Sequence, residues 1–498
     1  WPQIAINQNH ANQYFGQRMT PSIANNVWTR LKQINIFLTE IDKHGLAPEV
    51  TEPLKGQMLF WRAWQYFELL RLYGGVPLVL VPQNPIIADG DKSTEVPRST
   101  SAETVAQIVK DLDDAMEMLP GRWPAAHWGR ITSGTAAALK GRVLLTWASP
   151  LFNRNDDRTR WQQAYDANLA AKTMLESNGF GLAPNWANMW FQKNGAEGVM
   201  VTVFNDVSED QTQRNNGWER AARPRQIDGG GSISPTKQMV DAFPMKDGKM
   251  PGDATGTYTY DPKKFYKNRD PRFYQTFAYN GSVWPYGGNS NFRMWTYSWH
   301  SSSGSTTPNR YTETGPNSSG IYVRKATNPS ASSADGFEFS PTDYMEIRFA
   351  EVILNLAEAA IGSDKPGEGL QLIEMIRERA GVENEDGHYG LSAAAGNRDM
   401  LFAAVLNERK IEFAYENTRF WDLRRWMLFN DDFGTLTRLG MEPLDGTRRT
   451  GMWIYVKNAD GSKYAGSDDP MIRKADGTVP VIDRQPPSGV EFVDHLDA

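Results

Sequence analysis

The segment from residue 22 to residue 177 repeats one pattern, in which an amphipathic stretch of helical length is followed by a break at glycine or proline. Its first stretch carries Ile23, Val27 and Leu31 at four-residue intervals, a spacing that places side chains on one face of an α-helix. The next stretch ends at Gly74, a residue type that terminates helices. A chain with this pattern folds as a succession of helical hairpins.

Small residues are placed where these helices would meet. The run Ala136, Ala137 and Ala138 lets neighbouring helices approach closely. Stacked helix pairs of this length are typical of tetratricopeptide-type solenoids, although no repeat reproduces that motif cleanly. We therefore predict a mainly α-helical fold of tetratricopeptide-like helix pairs. The helices are predicted over residues 22–44, 54–73, 101–120, 136–149, 159–177, 342–361, 366–380 and 398–416.

The middle of the chain has a different composition. It is rich in Gly, Ser, Asn and Pro, with short β-prone runs at Val199–Phe204 and Ile321–Lys325. Connections of this length inside a compact protein are usually functional. We predict one domain over residues 1–498, in which helix pairs frame a large loop-rich insertion with short β-strands. Its predicted parts are a helical scaffold at 20–180 and 341–430, a ligand-binding lobe at 181–340, and an irregular C-terminal segment at 431–498.

Composition excludes several classes of function. The net charge of 53 − 59 = −6 disfavours binding to nucleic acid, whose phosphates require cations. The absence of cysteine excludes disulfides and thiol catalysis within these residues. No window approaches the roughly 18 consecutive apolar residues of a membrane span. The six histidines lack metal-ligand spacing such as HExxH, and the sequence has no Walker loop, GxSxG or GxGxxG motif.

A glycoside hydrolase would need two carboxylates beside the scissile bond. The pairs that occur are Asp113 with Asp114, Asp156 with Asp157, and Asp343 with Glu346. Because the chain holds 59 acidic residues, such pairs are expected by coincidence, and we interpret them as surface groups. The sequence predicts no enzyme and no cofactor, and it leaves open whether a metal is bound.

The stretch NERKIEFAYENTRFWDLRRW at 407–426 combines charges with aromatic residues. Glu408, Glu412 and Glu416 lie four residues apart on one helical face, which is repulsive unless cations are close. Candidate cations and covering rings are Arg409, Arg419, Arg424, Arg425, Phe413, Tyr415, Phe420, Trp421 and Trp426. We interpret the stretch as a structural lock that joins the last long helix to the tail. The alternative is a basic ligand-binding patch.

Residues 281–300 carry the strongest binding signal. Aromatic side chains lie here in a segment rich in Gly, Ser and Asn, and sugar rings pack their C–H faces on such rings while hydroxyls need fixed polar partners. Alternation at Trp295, Tyr297 and Trp299 would place three rings on one side of an extended segment. The alternative is that this side faces the core. The predicted ligand-binding residues are Trp284, Tyr286, Asn289, Arg293, Trp295, Tyr297 and Trp299, with Asn291 as a further polar candidate.

A second candidate is NNGWERAARPR at 215–225, where Trp218 would serve as a platform. Arg220, Arg223 and Arg225 would grip hydroxyls or an acidic sugar. The alternative is an exposed loop with one packed tryptophan.

Five blocks of the sequence resemble the SusD/RagB family of nutrient-binding lipoproteins of the Bacteroidetes cell surface. They are RAWQYFELLRLYGGVPLV (62–79), GTAAALKGRVLLTWASPLFN (134–153), RDPRFYQTFAYNG (269–281), YMEIRFAEVILNLAEAA (344–360) and NERKIEFAYENTRFWDLRRW (407–426). The resemblance implies a SusD-like helical fold and capture of a glycan. It further implies docking on a SusC-like TonB-dependent outer-membrane transporter, and a lipidated cysteine that would lie upstream of Trp1. The loop at 84–98 borders the site in some relatives but has no aromatic residue here.

We therefore predict a non-catalytic glycan-binding protein. Its partners would be an oligosaccharide or polysaccharide and a SusC-like transporter, with no nucleic acid. Its location would be the outer membrane at the cell surface, with membrane contact only through the upstream lipid anchor. Two alternatives remain open, a helical glycoside hydrolase and a helical-repeat scaffold that binds only proteins.

Overall fold

The structure is a computed structural model of the 498-residue chain. It describes residues 21–84, 94–206, 215–306, 308–312, 320–331, 334–442, 451–458, 462–466, 473–475, 479–481 and 490–497.

Long helices occupy both ends of the described scaffold. Those before the lobe are α1 (Pro21–Glu40), α2 (Pro48–Tyr73), α3 (Ser101–Met118), α4 (Ser133–Ala148) and α5 (Arg158–Ser177). The lobe contains the short helices α6 (Trp218–Ala222), α7 (Lys237–Asp241), α8 (Pro271–Thr276) and α9 (Ala334–Glu338). After the lobe come α10 (Phe349–Gly362), α11 (Pro366–Ala380), α12 (Arg398–Glu412), α13 (Arg419–Arg425) and α14 (Thr435–Leu439).

Local sequence signals set several of these helix ends. Thr100 caps α3 in a capping box, accepting a hydrogen bond from the Glu103 backbone N–H at 3.2 Å while the Glu103 carboxylate accepts from the Thr100 N–H at 2.7 Å. Thr132 forms the same arrangement with Thr135 at the start of α4. Helix α11 starts with Pro366 and ends at a left-handed glycine, Gly381. These signals place the helix boundaries close to those predicted.

The helices pack as pairs around one large core. Helix α2 packs on α3, α4 on α5, and α10 on α11, while α10 also lies against α5 and joins the two halves of the scaffold. The α5–α10 contact is close at Gly362, where an added Cβ would meet the Trp161 ring at 2.2 Å. Helix α10 is buried along its whole length because it is surrounded by other helices.

The strands are short and fall mostly in the lobe and the tail. They are β1 (Gly198–Thr202), β2 (Phe277–Ala278), β3 (Ser298–Trp299), β4 (Arg310–Tyr311), β5 (Tyr322–Val323), β6 (Tyr344–Arg348), β7 (Gly451–Asn458), β8 (Arg473–Ala475), β9 (Val479–Val481) and β10 (Val490–Asp497). Strand β1 pairs antiparallel with β6, and β2 with β5. A four-stranded sheet has the order β10-β7-β3-β4, which connects the tail to the lobe.

Several predicted helices differ from the structure at their ends. Residues 344–348 form strand β6, because their alternating side chains pair with β1 before the chain turns into α10 at Phe349. Helix α12 ends at Glu412 rather than residue 416, and Tyr415 and Asn417 have positive φ values of 65° and 70°. Helix α2 also starts earlier than predicted, at Pro48.

The lock predicted at 407–426 is present, but most of its cations come from elsewhere in the chain. Glu408 is buried and accepts from Arg272 at 2.6 Å and from Arg377 at 2.8 Å. Glu416 accepts from Arg348 at 2.6 Å. The prediction that the arginines of this stretch pair with its glutamates is therefore wrong, because those glutamates face the lobe and strand β6.

The arginines of the stretch bind other carboxylates. Arg425 donates to Glu358 on α10 at 2.6 Å, and Arg409 donates to Asp422 at 3.0 Å. Both arginines are almost fully buried. A buried, paired arginine is unavailable to a ligand, so the stretch has a structural role.

Candidate functional site

Residues 281–294 form a β-hairpin at the centre of the predicted binding segment. Its backbone hydrogen bonds join Gly281 N to Met294 O at 2.7 Å and Trp284 N to Phe292 O at 2.8 Å. The tip is formed by Gly287 and Gly288, with φ values of 58° and 77°. Two successive positive φ values are what a tight two-residue hairpin turn requires, and glycine adopts them without steric penalty.

The inner face of the hairpin carries Trp284. Its side chain is 1% exposed and packs in a cluster with Ile227, Met294 and Tyr322. The Arg223 guanidinium lies 5.4 Å from its ring centroid, so even the polarisable face of the ring is covered. The prediction that Trp284 contacts a ligand is wrong, because the hairpin folds this ring into the lobe.

Tyr297 and Trp299 are also buried. They are 1% and 5% exposed, and their rings pack 6.1 Å apart. Trp299 lies on β3 between β4 and β7, and its indole N–H donates to the Gly466 carbonyl at 3.2 Å. The prediction of ligand contact is therefore wrong for both residues. The alternative holds for them: this side of the extended segment faces the interior.

Four of the predicted residues reach the surface. Trp295 is partly exposed beside Gly281, where an added Cβ would lie 3.5 Å from the ring. Asn289 and Arg293 are exposed, and Arg293 donates to the Gly281 carbonyl at 2.7 Å. Tyr286 is partly exposed and donates its hydroxyl hydrogen to Asp228, a bond that raises the pKa of Tyr286. For these residues ligand contact remains a prediction.

The second candidate segment is held mainly by internal contacts. The Trp218 indole N–H donates to the Lys325 carbonyl at 2.8 Å, and its ring lies 6.3 Å from that of Tyr415. Trp218 keeps partial exposure, so its role as a platform stays a prediction. Arg223 is fully buried and donates to Glu219 at 2.7 Å, so the interpretation that it grips a ligand hydroxyl is wrong.

The structure adds a pair of tyrosines that the sequence reasoning missed. Tyr266 and Tyr279 stack with ring centroids 4.7 Å apart and an interplanar angle of 9°, and both are partly exposed. Burial raises the pKa of Tyr279 to about 12, although the charges of Arg324 and Arg293 oppose that rise. Both tyrosines lie in the aromatic-rich stretch 265–279, which was a usable signal.

Backbone contacts bring this pair next to the hairpin. Tyr279 N donates to Ser282 Oγ at 3.0 Å, and Thr296 N donates to Asn280 Oδ1 at 3.1 Å. We call the set Trp295, Arg293, Tyr279 and Tyr266 the Trp295 surface. It combines flat rings with a cationic donor, an arrangement suited to a ligand that has apolar faces and hydroxyl groups.

The acidic pairs noted in the sequence are engaged by other groups. Asp343 accepts from the Trp128 indole N–H at 2.9 Å, Glu346 accepts from Arg142 at 3.3 Å, and Asp156 accepts from Arg398 at 2.8 Å. Burial raises the pKa of Glu346, while the charges of Arg142 and Arg71 lower it. Each of these carboxylates is therefore tied to a structural partner.

Within the described ranges, no group of three or more His, Asp or Glu side chains is arranged to hold a metal ion. The helices of that same part of the chain are all too short or too polar to span a bilayer.

Comparison with known proteins identifies the family. The model of the SusD family matches residues 186–464, which is more than half of the chain. The chain belongs to the SusD family. A second model of the group, described as starch-binding associating with outer membrane, matches residues 1–145 of this SusD family member. Members of this family are carbohydrate-binding proteins and not enzymes, in agreement with the prediction.

Individual relatives agree with this family. SusD-like protein P2 of Formosa agariphila is 25% identical over 409 residues, which cover 78% of this chain and 67% of that protein. A SusD-like protein from Bacteroides fragilis has a TM-score of 0.66 at 24% identity, covering 86% of this chain and 77% of its own. A structure named as a laminarin binding SusD-like protein has a TM-score of 0.58 at 19% identity, covering 87% and 82%. The mainly helical SusD-like fold is confirmed.

Proposed function

We propose that this SusD family protein captures an oligosaccharide or polysaccharide at the outer membrane of the cell and delivers it to a SusC-like TonB-dependent transporter. The family description associates such chains with starch binding and the outer membrane, and one structural relative is named for laminarin binding. An upstream lipid anchor would hold the protein at the cell surface, where it meets glycans before transport.

The observation that carries the proposal is the Trp295 surface. A partly exposed tryptophan and an exposed arginine both adjoin Gly281, two residues after Tyr279 of the stacked tyrosine pair. Carbohydrate recognition needs this combination, since pyranose C–H faces pack on rings while hydroxyls accept from a fixed donor. The Trp295 backbone N–H donates to Gln226 Oε1 at 3.1 Å, and the Arg293 guanidinium donates to the Gly281 carbonyl at 2.7 Å. These bonds limit the conformational entropy lost on binding.

The same arrangement favours extended ligands. Each ring supplies a modest contact, and a single sugar covers only one of them. A chain that reaches from Trp295 to the Tyr266–Tyr279 pair gains additional contacts after its rotational and translational entropy has already been lost. We expect oligosaccharides of several units to bind more tightly than the monosaccharide.

The test is affinity electrophoresis through gels that contain laminarin, xyloglucan or starch. We expect Trp295→Ala to lose most retardation on the gel that retards the wild type, with an unchanged circular dichroism spectrum. Tyr73→Ala, which removes an aromatic residue 43% exposed on the scaffold, is the control and should keep full retardation.

Two outcomes would contradict the proposal. Equal retardation of Trp295→Ala and wild type on every gel would show that the Trp295 surface is not the glycan site. Sustained release of new reducing ends from any of these polysaccharides would show an enzyme instead of a receptor. Delivery to the transporter is tested separately, by purifying the protein from detergent-solubilised outer membranes. The transporter should co-purify with it.

A further inference from the structure

A large pocket lies beside helix α12, and its lining includes Arg377, which pairs with Glu408. It has a volume of about 830 Å³ and opens between α12, α13, α14 and the segment that contains α7. A volume of this size accommodates a small organic molecule, since ligand pockets span roughly 300–1,000 Å³. Its lining shares no residue with the Trp295 surface.

The lining of this pocket is mainly apolar. The apolar wall is built by leucine, methionine and alanine side chains of four helices and the connecting loops. The main contributors are Met239, Met400, Leu423, Leu428, Leu436 and Leu439. Aliphatic walls of this kind suit a flexible hydrocarbon group, whereas a sugar would leave its hydroxyls without partners there.

Several of the charged groups that line the pocket already have hydrogen-bond or ion-pair partners. Arg377 is satisfied by Glu408 and by the Tyr389 carbonyl at 2.7 Å, and Asp253 accepts from Thr255 N at 2.8 Å. The Lys410 ammonium, in contrast, has no hydrogen-bond or ion-pair partner among the residues that the structure describes. Arg419 lies near it on the same lining, which also carries the carboxylate of Glu442 and the ammonium of Lys249, paired with Asp386 at 3.1 Å.

We propose that this pocket binds a single-chain amphiphile with an anionic head, which pairs with Lys410 while its hydrocarbon tail lies along the leucines of α13 and α14. The unpaired ammonium supports this choice of charge. Burial and the positive charge of Arg419 lower the pKa of Lys410 to about 7, although the charge of Asp241 opposes that fall. An anion beside the ammonium would stabilise its charged form.

The proposal is tested with decanoate as the probe, measured by its displacement of 8-anilinonaphthalene-1-sulfonate fluorescence. We expect decanoate to displace the dye, and decylammonium, which has a tail of the same length and the opposite charge, to do so at least tenfold more weakly. Lys410→Met keeps the length of the side chain without its charge and should weaken decanoate binding about tenfold, because it removes the charged hydrogen-bond donor.

Further variants separate binding from folding. Lys410→Arg retains the charge and should hold the affinity for decanoate within threefold of wild type. Leu436→Trp fills the pocket and should abolish displacement. Lys172→Met, on the surface of α5, should have no effect.

The proposal is overturned by any of three results. They are an unchanged decanoate affinity in Lys410→Met, equal binding of decylammonium and decanoate, or no displacement by decanoate in the wild type. The glycan-containing gel should retard Lys410→Met as strongly as the wild type, which distinguishes this pocket from the Trp295 surface.

Discussion

One carboxylate, that of Glu412, is shared by three arginines from three different elements. Arg272 donates to it at 2.8 Å, Arg348 at 2.8 Å and Arg379 at 2.5 Å. Burial alone would raise the pKa of Glu412, but the charges of Arg379, Arg348 and Arg272 hold it well below its usual range. The carboxylate is therefore charged in the folded protein and compensates several buried cations at once.

Glu412→Gln removes that charge while keeping the shape of the side chain. We expect the free energy of unfolding to fall by about 3–5 kcal/mol, since breaking a buried ion pair leaves its partners uncompensated. Urea denaturation followed by circular dichroism measures the change. The control is Glu176→Gln, whose ion pair with Lys172 lies on the helix surface and should contribute at most about 0.5 kcal/mol. Similar losses in both variants would contradict this account.

Lys410 predicts how stability depends on pH. Its folded pKa of about 7 lies below the ordinary lysine value, so between pH 7 and pH 10 the unfolded chain binds more protons than the folded one. The free energy of unfolding should therefore rise with pH across this window. Arg419 opposes the lysine's charge, while Asp241, already bonded by Lys237 and Tyr260, favours it.

The measurement is the urea midpoint at pH 7 and at pH 9. We expect a higher midpoint at pH 9 in the wild type and a smaller rise in Lys410→Met. Lys172→Met should keep the wild-type rise. If Lys410→Met also keeps it, the lowered pKa is not the cause.

The sequence predicts where the aromatic side chains of the lobe are concentrated, but not which of them point toward the interior. The 281–300 stretch was recognisable as aromatic and irregular, yet Trp284, Tyr297 and Trp299 point inward while Trp295 reaches the surface. Alternation predicts one shared side for Trp295, Tyr297 and Trp299, yet only the last two are buried. Burial here depends on a sheet whose β7 strand comes from residues 451–458. That pairing spans about 150 residues of sequence and has no local signal.

At the scale of elements, the hairpin at 281–294 is the part most directly encoded by sequence. Its turn needs positive φ at Gly287 and Gly288, and no atom lies within 4 Å of a Cβ added at either position. The restriction is therefore one of backbone conformation and not of space. This is a case in which two residues determine the geometry of a whole hairpin.

Gly288→Val should cost about 1–2 kcal/mol of stability, because an L-residue in the left-handed region is strained by about that amount. Gly288→Asn should be nearly neutral, since asparagine tolerates that conformation. Urea denaturation compares the two variants with wild type. A valine variant as stable as the asparagine variant would show that the turn does not constrain the hairpin.

Helix boundaries were predictable where a cap or break is local, and wrong where a distant strand competes. Residues 344–348 have a helical-looking pattern but pair with β1, which lies about 145 residues earlier. The capping box at Thr100 and the stop at Gly381, in contrast, depend on neighbours within four residues.

For the whole molecule, buried charges connect the lobe to the scaffold. Arg272 lies on α8 in the lobe and donates to Glu408 and Glu412 on scaffold helix α12 at 2.6 Å and 2.8 Å. Lys325, also in the lobe, donates to the Glu412 carbonyl at 2.8 Å. The sequence indicated that the glutamates of α12 need cations, but the cations that pair with them are about 30 to 140 residues away in the chain.

This connection predicts where the protein opens first. Arg272→Met should weaken the attachment of the lobe, so that limited proteolysis under native conditions cuts between residues 181 and 340 faster than in the wild type. The matched control is Arg425→Met, an equally buried arginine whose partners Glu358 and Asp422 both lie in the scaffold.

Both variants should lower the free energy of unfolding by about 3–5 kcal/mol, because each leaves buried carboxylates without a partner. Only Arg272→Met should show cleavage concentrated in the lobe when the fragments are identified by mass spectrometry. If the two variants give the same fragments at the same rate, the ion pairs stabilise the molecule as a whole and do not specifically hold the lobe that carries the Trp295 surface.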